Sequence, residues 1–211
     1  MSVSAALRKN FPAAERNREP ILAVLRSYLS DTFSGSLLEV SSGSGQHCVH
    51  FGEAFRDATI QPTELDDLTS IRAWIDHSGL SNVRDPVLLD ARLPSSEWPR
   101  PSAEPDSKWD AMLNVNMIHI SPWSATEGLF AAAGALLKKD GYLFTYGPYK
   151  LDGEFTTESN RAFDRSLRER DPAWGLRDVD EVTELAREAG LVLRSRHDMP
   201  ANNFLLAFQR H

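Results

Sequence analysis

Leu37-Leu38-Glu39-Val40-Ser41-Ser42-Gly43-Ser44-Gly45-Gln46-His47 is the stretch that decides the fold. Leu37–Val40 is a short apolar run following the break at Gly35 and Ser36, and it reads as a buried strand. Ser41–Gly45 then turns the chain, and a helix is expected from about Gln46 to Phe55. Strand, glycine turn and helix together open an α/β unit, in which ligands sit beyond the carboxyl ends of the strands. Glycine tolerates backbone angles closed to other residues, and its missing Cβ lets a ligand approach the main chain.

Outward from this turn, strands alternate with helices. Apolar residues at helical spacing between 15 and 29 predict a helix starting near Glu19, with Pro20 in its first turn. Residues 58–64 read as a second strand, 67–78 as a helix stopped by Gly79, and Val87–Asp90 as a third strand. Residues 93–108 hold four prolines and read as a surface loop. Trp109–Ile120 is the expected fourth strand, 124–138 a helix stopped by Lys138-Lys139-Asp140-Gly141, and Tyr142–Tyr146 the fifth strand. Helices follow at 158–170 and 178–189, and Leu191–His197 with Phe204–Gln209 predict an antiparallel hairpin at a sheet edge. The alternation predicts an α/β fold, a mostly parallel sheet with helices on both faces. We expect one domain over 1–211, with a lid-and-helix segment at 1–34 and a helical insertion over the pocket at 150–180.

Composition narrows the function classes. The net charge of −7 disfavours a nucleic-acid partner, which needs clustered Lys and Arg. No apolar run approaches the roughly 18 residues of a spanning helix, so no membrane partner is expected. No signal core follows Arg8 and Lys9. Cys48 is the only cysteine, which excludes an internal disulfide and a cysteine-based zinc site. A cytoplasmic location is expected first and a nuclear one second.

The turn also discriminates between ligands. A dinucleotide fingerprint needs a third glycine where Cys48 stands, and a phosphate loop needs Lys where Gln46 stands. Glu39, four residues before Gly43, would repel phosphate but suits a cationic amino group. S-adenosylmethionine carries such a group and no phosphate. Glu64 closes the second strand about twenty residues on, where a carboxylate accepts from ribose hydroxyls; Asp66 and Asp67 are close competitors. Asp90 at the third strand end suits an adenine amino group, with the Ala91 backbone N–H facing a ring nitrogen. Singly, each acid reads as a solvated loop carboxylate; at three successive strand ends they mark a site.

These residues, continued through Gln61-Pro62-Thr63-Glu64 and Asn116-Met117-Ile118-His119-Ile120, resemble the Rossmann-like seven-stranded methyltransferases. More closely, the chain resembles the small family known as methyltransferase-like protein 26, also called the domain of unknown function 938 family. That likeness is carried by Pro12-Ala13-Ala14-Glu15-Arg16-Asn17-Arg18-Glu19-Pro20-Ile21, Ser121-Pro122-Trp123, Tyr146-Gly147-Pro148, Arg170-Asp171-Pro172-Ala173-Trp174-Gly175 and Met199-Pro200-Ala201-Asn202-Asn203. It runs from about residue 10 to 211. It implies a methyltransferase fold and S-adenosylmethionine as cofactor, and implies little about substrate. Glu64 departs from the Asp more usual in the family.

The expected donor-binding residues are therefore Glu39, Ser41, Gly43, Gly45, Glu64, Asp90, Ala91 and Asn114, with Arg16 and Asn17 contributed by an N-terminal lid. That lid segment reads equally as a capping stretch before the helix. The acceptor side is expected beyond the fourth and fifth strands, with His119, Asn116 and Tyr146 as candidate catalytic residues and Tyr149 nearby. Asn114 and Asn116, two apart, would share one face of a strand. His119 has a free pKa near neutrality and is the preferred base, and reads equally as a packed strand-end residue. Trp123 would stack on a flat substrate or shape the donor pocket, or simply pack. His47 and His50 lie three apart without a third ligand and read as packing or surface residues, so no metal site is expected. The leading expectation is methyl transfer to a small molecule. A non-catalytic donor-binding protein and a protein methyltransferase are the alternatives.

Overall fold

The computed structural model describes residues 6–211. All five residues of Ser36–Val40 (β1) are buried, the mark of a strand covered on both faces. β1 pairs in parallel with Thr59–Glu64 (β2), Leu38 opposite Gln61 and Glu39 opposite Pro62. β2 pairs in parallel with Val87–Leu88 (β3), a shorter strand than the expected 87–90. Trp109–Val115 (β4), Leu137–Gly147 (β5), the small hairpin of Lys150–Leu151 (β6) and Glu154–Phe155 (β7), Leu191–Met199 (β8) and Asn203–Arg210 (β9) complete the strands. The main sheet has seven strands in the order β3-β2-β1-β4-β5-β9-β8, and β9 runs antiparallel to both β5 and β8. This is the expected α/β sheet with its antiparallel C-terminal hairpin.

The backbone gathers into two compact units, the residues up to Asp90 with Pro99–Leu113, and Ala91–Trp98 with Asn114–His211. In the first, the helices are Pro12–Leu29 (α1), Gln46–Ala54 (α2) and Thr69–Ser78 (α3). α1 begins seven residues earlier than expected and carries Pro20 inside it. Pro12 suits the first turn as well as Pro20 does, since a first-turn N–H has no partner in any case. Ala14, Asn17, Ile21, Leu22 and Leu25 form one buried face that runs through Pro20, and this burial outweighs the lost hydrogen bond. Residues 12–17 are thus the first turns of α1 rather than a stretch before it. α3 ends as expected at Gly79, whose φ of 66° closes the helix onto the Ile75 carbonyl.

In the second unit the helices are Trp123–Leu136 (α4), Glu158–Arg170 (α5) and Val179–Glu188 (α6). α6 opens with a capping box, Asp178 and Glu181 each bonding the other's end of the turn. α4 is almost wholly apolar on its inner side, with Ala125, Leu129, Phe130, Ala132, Ala133 and Leu136 buried. Its two glycines allow close approach: a Cβ on Gly128 would lie 1.9 Å from the Ala91 carbonyl oxygen, and one on Gly134 2.2 Å from the Ala189 oxygen. β5 starts directly after α4, so Lys138-Lys139-Asp140-Gly141 lies in the strand and not in a stop, with Asp140 at φ 63°.

β4 stops at Val115, five residues short of the expected Ile120. Asn116 takes φ 64°, its N–H donates to the Tyr146 carbonyl at 2.9 Å, and Ile118–Ile120 forms a 3₁₀ turn. Parts of the 93–108 segment are held by long side chains. Trp98 is buried with its indole N–H on the Leu93 carbonyl (3.0 Å). In the first unit, Trp109 donates to the Pro99 carbonyl and Arg84 to those of Arg100 and Pro101. No described helix is long and apolar enough to cross a membrane.

Gly128→Ala drives a methyl into a main-chain carbonyl and should lower stability by about 2 kcal/mol in urea unfolding. Gly153→Ala, with open space around its Cβ position but φ 80°, should cost about 1 kcal/mol.

Candidate functional site

Three residues of the turn after β1 have positive φ: Ser41 at 60°, Gly43 at 59° and Gly45 at 93°. The two glycines differ in purpose. A Cβ on Gly45 would sit 2.7 Å from Ile71 Cα, so Gly45 lets the turn close onto α3. A Cβ on Gly43 would meet nothing within 4 Å, so its backbone faces open space. Ser42 is buried and its N–H donates to the Thr63 carbonyl at 2.7 Å, locking the turn to β2. Ser44 is buried as well; its carbonyl accepts from Ser70 Oγ and its hydroxyl donates to Gln46 Oε1.

Glu39 is 1% exposed, and neither of its carboxylate oxygens has a hydrogen-bond partner among the described residues. The Ser42 and Thr63 hydroxyls both donate to the Glu39 main-chain carbonyl, and the nearby Ser42 hydroxyl favours the carboxylate anion against its burial. Burial pushes the Glu39 pKa up to about 8, and the nearby Glu64 charge adds to the rise. Glu64 gives one oxygen to the turn and one to its own neighbour: Oε2 accepts the Gly43 N–H at 2.7 Å, and Oε1 accepts the Leu65 N–H at 2.7 Å. A carboxylate has about four acceptor sites, so about two remain. Leu65 beside it is 55% exposed, an apolar side chain with much of its surface uncovered. Asp90 lies past the end of β3, half-buried, and Ala91 is buried.

The N-terminal candidates divide. Arg16 is exposed on α1. Asn17 is buried and its Oδ1 lies 2.8 Å from His47 Nε2, so it joins α1 to α2. Sequence reasoning misses the residues just before α1. The Phe11 N–H donates to Gln46 Oε1 at 2.7 Å, and Gln46 Nε2 to Asn10 Oδ1 at 2.6 Å. The Lys9 N–H donates to Ser70 Oγ, and Trp74 to the Lys9 carbonyl. Lys9–Phe11 is thereby a strap tied to the glycine turn through Gln46 and Ser70. In sequence, Gln46 is informative only as the residue that rules out a phosphate loop, and nothing local signals its tethering role.

In the second unit, Asn116, His119 and the end of β5 come together. A Cβ on Gly147 would lie 3.2 Å from His119 Nδ1 and 3.8 Å from Asn116 Oδ1, so Gly147 makes room for both. Asn114 and Asn116 do not share a strand face: Asn114 is wholly buried in β4, and Asn116 sits beyond it at φ 64°. His119 lies in the 3₁₀ turn, 5% exposed, its ring edge-on to Phe163 at 5.7 Å. Burial, helped by the Arg177 charge, lowers its pKa to about 4. It is therefore a neutral acceptor at pH 7, but a weaker base than a free imidazole. Tyr146 is buried and its carbonyl is the one that Asn116 caps. Tyr149 donates to Thr145 Oγ1 at 2.9 Å and burial raises its pKa, so it stays a protonated packing residue. Arg177, two residues past Trp174-Gly175, carries no signal of its own in sequence, yet its guanidinium stacks on Trp123 at 5.6 Å.

The sheet order and the glycine turn define the fold, which is shared with solved methyltransferases. It is similar to an O-methyltransferase family protein from Burkholderia thailandensis, with 17% identity and a TM-score of 0.74 over 94% of this chain and 57% of that one. It is also similar to a putative sarcosine dimethylglycine methyltransferase from Galdieria sulphuraria (14% identity, TM-score 0.73, 94% of this chain and 86% of that one). A third is an O-methyltransferase from neocarzinostatin biosynthesis, in complex with S-adenosylmethionine and 2-hydroxy-5-methyl naphthoic acid (17%, TM-score 0.66, 84% and 49%). The chain thus spans little more than half the length of the Burkholderia protein. At the level of sequence, residues 8–210 match the family described as protein of unknown function DUF938, and the chain belongs to that family.

His47 and His119 both have pKa values lowered to about 4, in each case first by burial. Unfolded, each titrates near 6.5. A lowered histidine contributes stability above its unfolded pKa and loses it as pH falls through the folded value. Each tenfold loss of proton affinity on folding corresponds to about 1.4 kcal/mol, so each histidine withdraws up to about 3 kcal/mol between pH 6.5 and 4. Urea unfolding should show that decline, and His47→Gln should flatten part of it.

Proposed function

We propose that this protein is an S-adenosylmethionine-dependent methyltransferase acting on a small molecule, and that its resemblance to methyltransferase-like protein 26 reflects membership of that group. The observation that carries the proposal is the buried, unpartnered carboxylate of Glu39 behind the open backbone of Gly43. An isolated buried acid is costly unless a cation or donors meet it, and the donor's ammonium group fits that requirement. Glu64 keeps free acceptor sites suited to ribose hydroxyls, and Leu65 offers an apolar surface to the adenine. Ser41, Gly45, Asp90, Ala91 and Asn114 complete the proposed donor set, with exposed Arg16 as its N-terminal contributor. Asn17 belongs to that set only through the packing of α1, since its side chain is engaged by His47.

When bound, the cofactor supplies an activated methyl group on a sulfonium. The protein's own task is then mainly alignment. Asn116, held in place by its bond to the Tyr146 carbonyl, would orient the acceptor, and His119 would take the acceptor's proton at Nδ1 or Nε2. The buried ring of Tyr146 supports that wall. The fold neighbours described as O-methyltransferases, one bound to a naphthoic acid, support a small acceptor.

Calorimetry tests the donor site directly. Wild type should bind S-adenosylhomocysteine at micromolar concentration and not NAD. Glu64→Ala frees the Gly43 N–H and removes a charge-assisted hydrogen bond, and should weaken binding about ten-fold or more. Gly43→Val should abolish it in a folded protein. A folded wild type that binds no S-adenosylhomocysteine refutes the proposal.

Glu39 adds a proton linkage. With a folded pKa near 8, above its ordinary value of 4.5, it is protonated at pH 7. Pairing with an ammonium requires the anion, so binding should release close to one proton at pH 7 and tighten as pH rises toward 8. Titrations in buffers of different ionisation enthalpy read that number, and Glu39→Gln should bring it near zero.

A further inference from the structure

We propose that the acceptor side binds a carboxylate-bearing acceptor, with the Arg177 guanidinium as the carboxylate-binding group. It rests on the methyl-transfer function proposed for the chain. Arg177 is half-buried and makes only neutral contacts: Nη2 donates to the Ser121 carbonyl at 2.9 Å and the Ala173 carbonyl at 2.8 Å. Nε is buried without a partner, and Nη1 donates to nothing among the described residues. No carboxylate among the described residues pairs with it. The acids around it are all engaged elsewhere. Asp164 holds Arg168 Nε at 2.9 Å and accepts the Leu176 N–H at 2.8 Å. Glu181 accepts the Asp178 N–H, and Asp178 accepts the N–H groups of Asp180 and Gly153. Burial and the Arg168 charge disfavour the Arg177 cation, Glu181 and Asp164 attract it without touching it, and its half-buried guanidinium is left with no direct carboxylate partner among the described residues. Guanidinium cannot shed its proton, so unlike a lysine it cannot escape by neutralising.

Its surroundings indicate what the counterpart is. Ser121 lies between the His119 turn and α4, Trp123 is the first residue of α4, and the Gly175 N–H donates to the His119 carbonyl at 3.0 Å. Arg177, His119 and Trp123 therefore share one wall. Phe163, against His119, is 40% exposed, and Trp123 and Trp174 are half-buried. A guanidinium stacked on Trp123 and unpaired with any described carboxylate, with Phe163 against the neighbouring His119, suits a planar organic acid, its carboxylate on Nη1 and its ring on the aromatics. The arrangement also links binding to the base. The Arg177 charge is one cause of the low His119 pKa. A carboxylate on Arg177 offsets that charge and makes His119 a better proton acceptor only when an acceptor is present.

The test uses the full chain with S-adenosylhomocysteine present. A panel of aromatic and aliphatic carboxylates, 3-hydroxybenzoate first, is titrated against the matching carboxamides. Binding is followed at the Trp123 indole N–H and the His119 ring protons by NMR. The best acid should bind wild type at least about ten-fold tighter than its amide. Arg177→Met should bring that ratio near one, Arg177→Lys should keep part of it, and the His119 pKa should rise with the acid and not with the amide. Equal affinity for acid and amide in wild type, an intact ratio in folded Arg177→Met, or no Trp123 response to any acid overturns the proposal. If Arg177→Met does not fold, the wild-type ratio and Arg177→Lys decide it. Calorimetry with S-adenosylhomocysteine on the same samples reads the donor site alone, so failure of the methyl-transfer function and failure of the carboxylate site are told apart.

Discussion

Glu64 at the end of β2 holds the turn at the end of β1, one oxygen on the Gly43 N–H and the other on its own neighbour's N–H. Ser41, Gly43 and Gly45 all take left-handed angles, and a turn of that shape needs to be over-determined by its surroundings. The supports come from every direction. Ser42 is bonded to β2, Gly45 is pressed on α3, Ser70 caps the Ser44 carbonyl, and the Lys9–Phe11 strap is tied in through Gln46 and Ser70. The turn is thus held from several sides, and a preorganised site avoids an ordering cost on binding.

Each compact unit also holds an ionisable side chain with no charged group bonded to it among the described residues, one acidic and buried, one basic and half-buried. In the first it is the acid Glu39, in the second the base Arg177. The two groups respond differently to burial. Glu39 can take up a proton, and its raised pKa shows that it does so near neutrality. Arg177 has no such route and settles for two main-chain carbonyls and an aromatic face. Glu39 is therefore a group whose charge appears on demand, whereas Arg177 carries its charge permanently. Structural packing alone explains neither, since an apolar side chain of similar volume would avoid both desolvation penalties.

The sheet is legible in the sequence because its signal is periodic and repeated: apolar strand, turn residue, amphipathic helix, several times over. The misplacements fall where a single residue outweighs the pattern. Pro20 reads as a helix start because proline is favoured there, but the buried stripe from Ala14 to Leu25 runs straight through it. Lys138–Gly141 reads as a stop, yet the strand runs through them. For the site, acids at strand ends are legible because position alone gives them meaning. The tethers are not: Gln46 and Ser70 act through bonds to residues 36 and 61 positions away in the chain, and no local pattern encodes these. Arg177 is illegible for a related reason, because an arginine becomes informative only when its neighbouring carboxylates are seen to be engaged elsewhere.

The alternation rule fails at Asn116, and the failure has a physical cause. Asn is among the few residues that tolerate the left-handed region without large strain. At φ 64° it ends β4 and turns the chain into the 3₁₀ segment that carries His119. Its N–H remains bonded to the Tyr146 carbonyl, so the departure from the strand is anchored to β5 and not loose. Had the strand continued to Ile120 as the apolar pattern implies, His119 would have alternated onto a face fixed by the pleat. The turn instead places its imidazole against Gly147, a position at the end of β5 without a side chain to block it. A left-handed asparagine just past one strand and a glycine at the end of the next are thus two halves of one requirement, room for a buried neutral histidine beside Phe163.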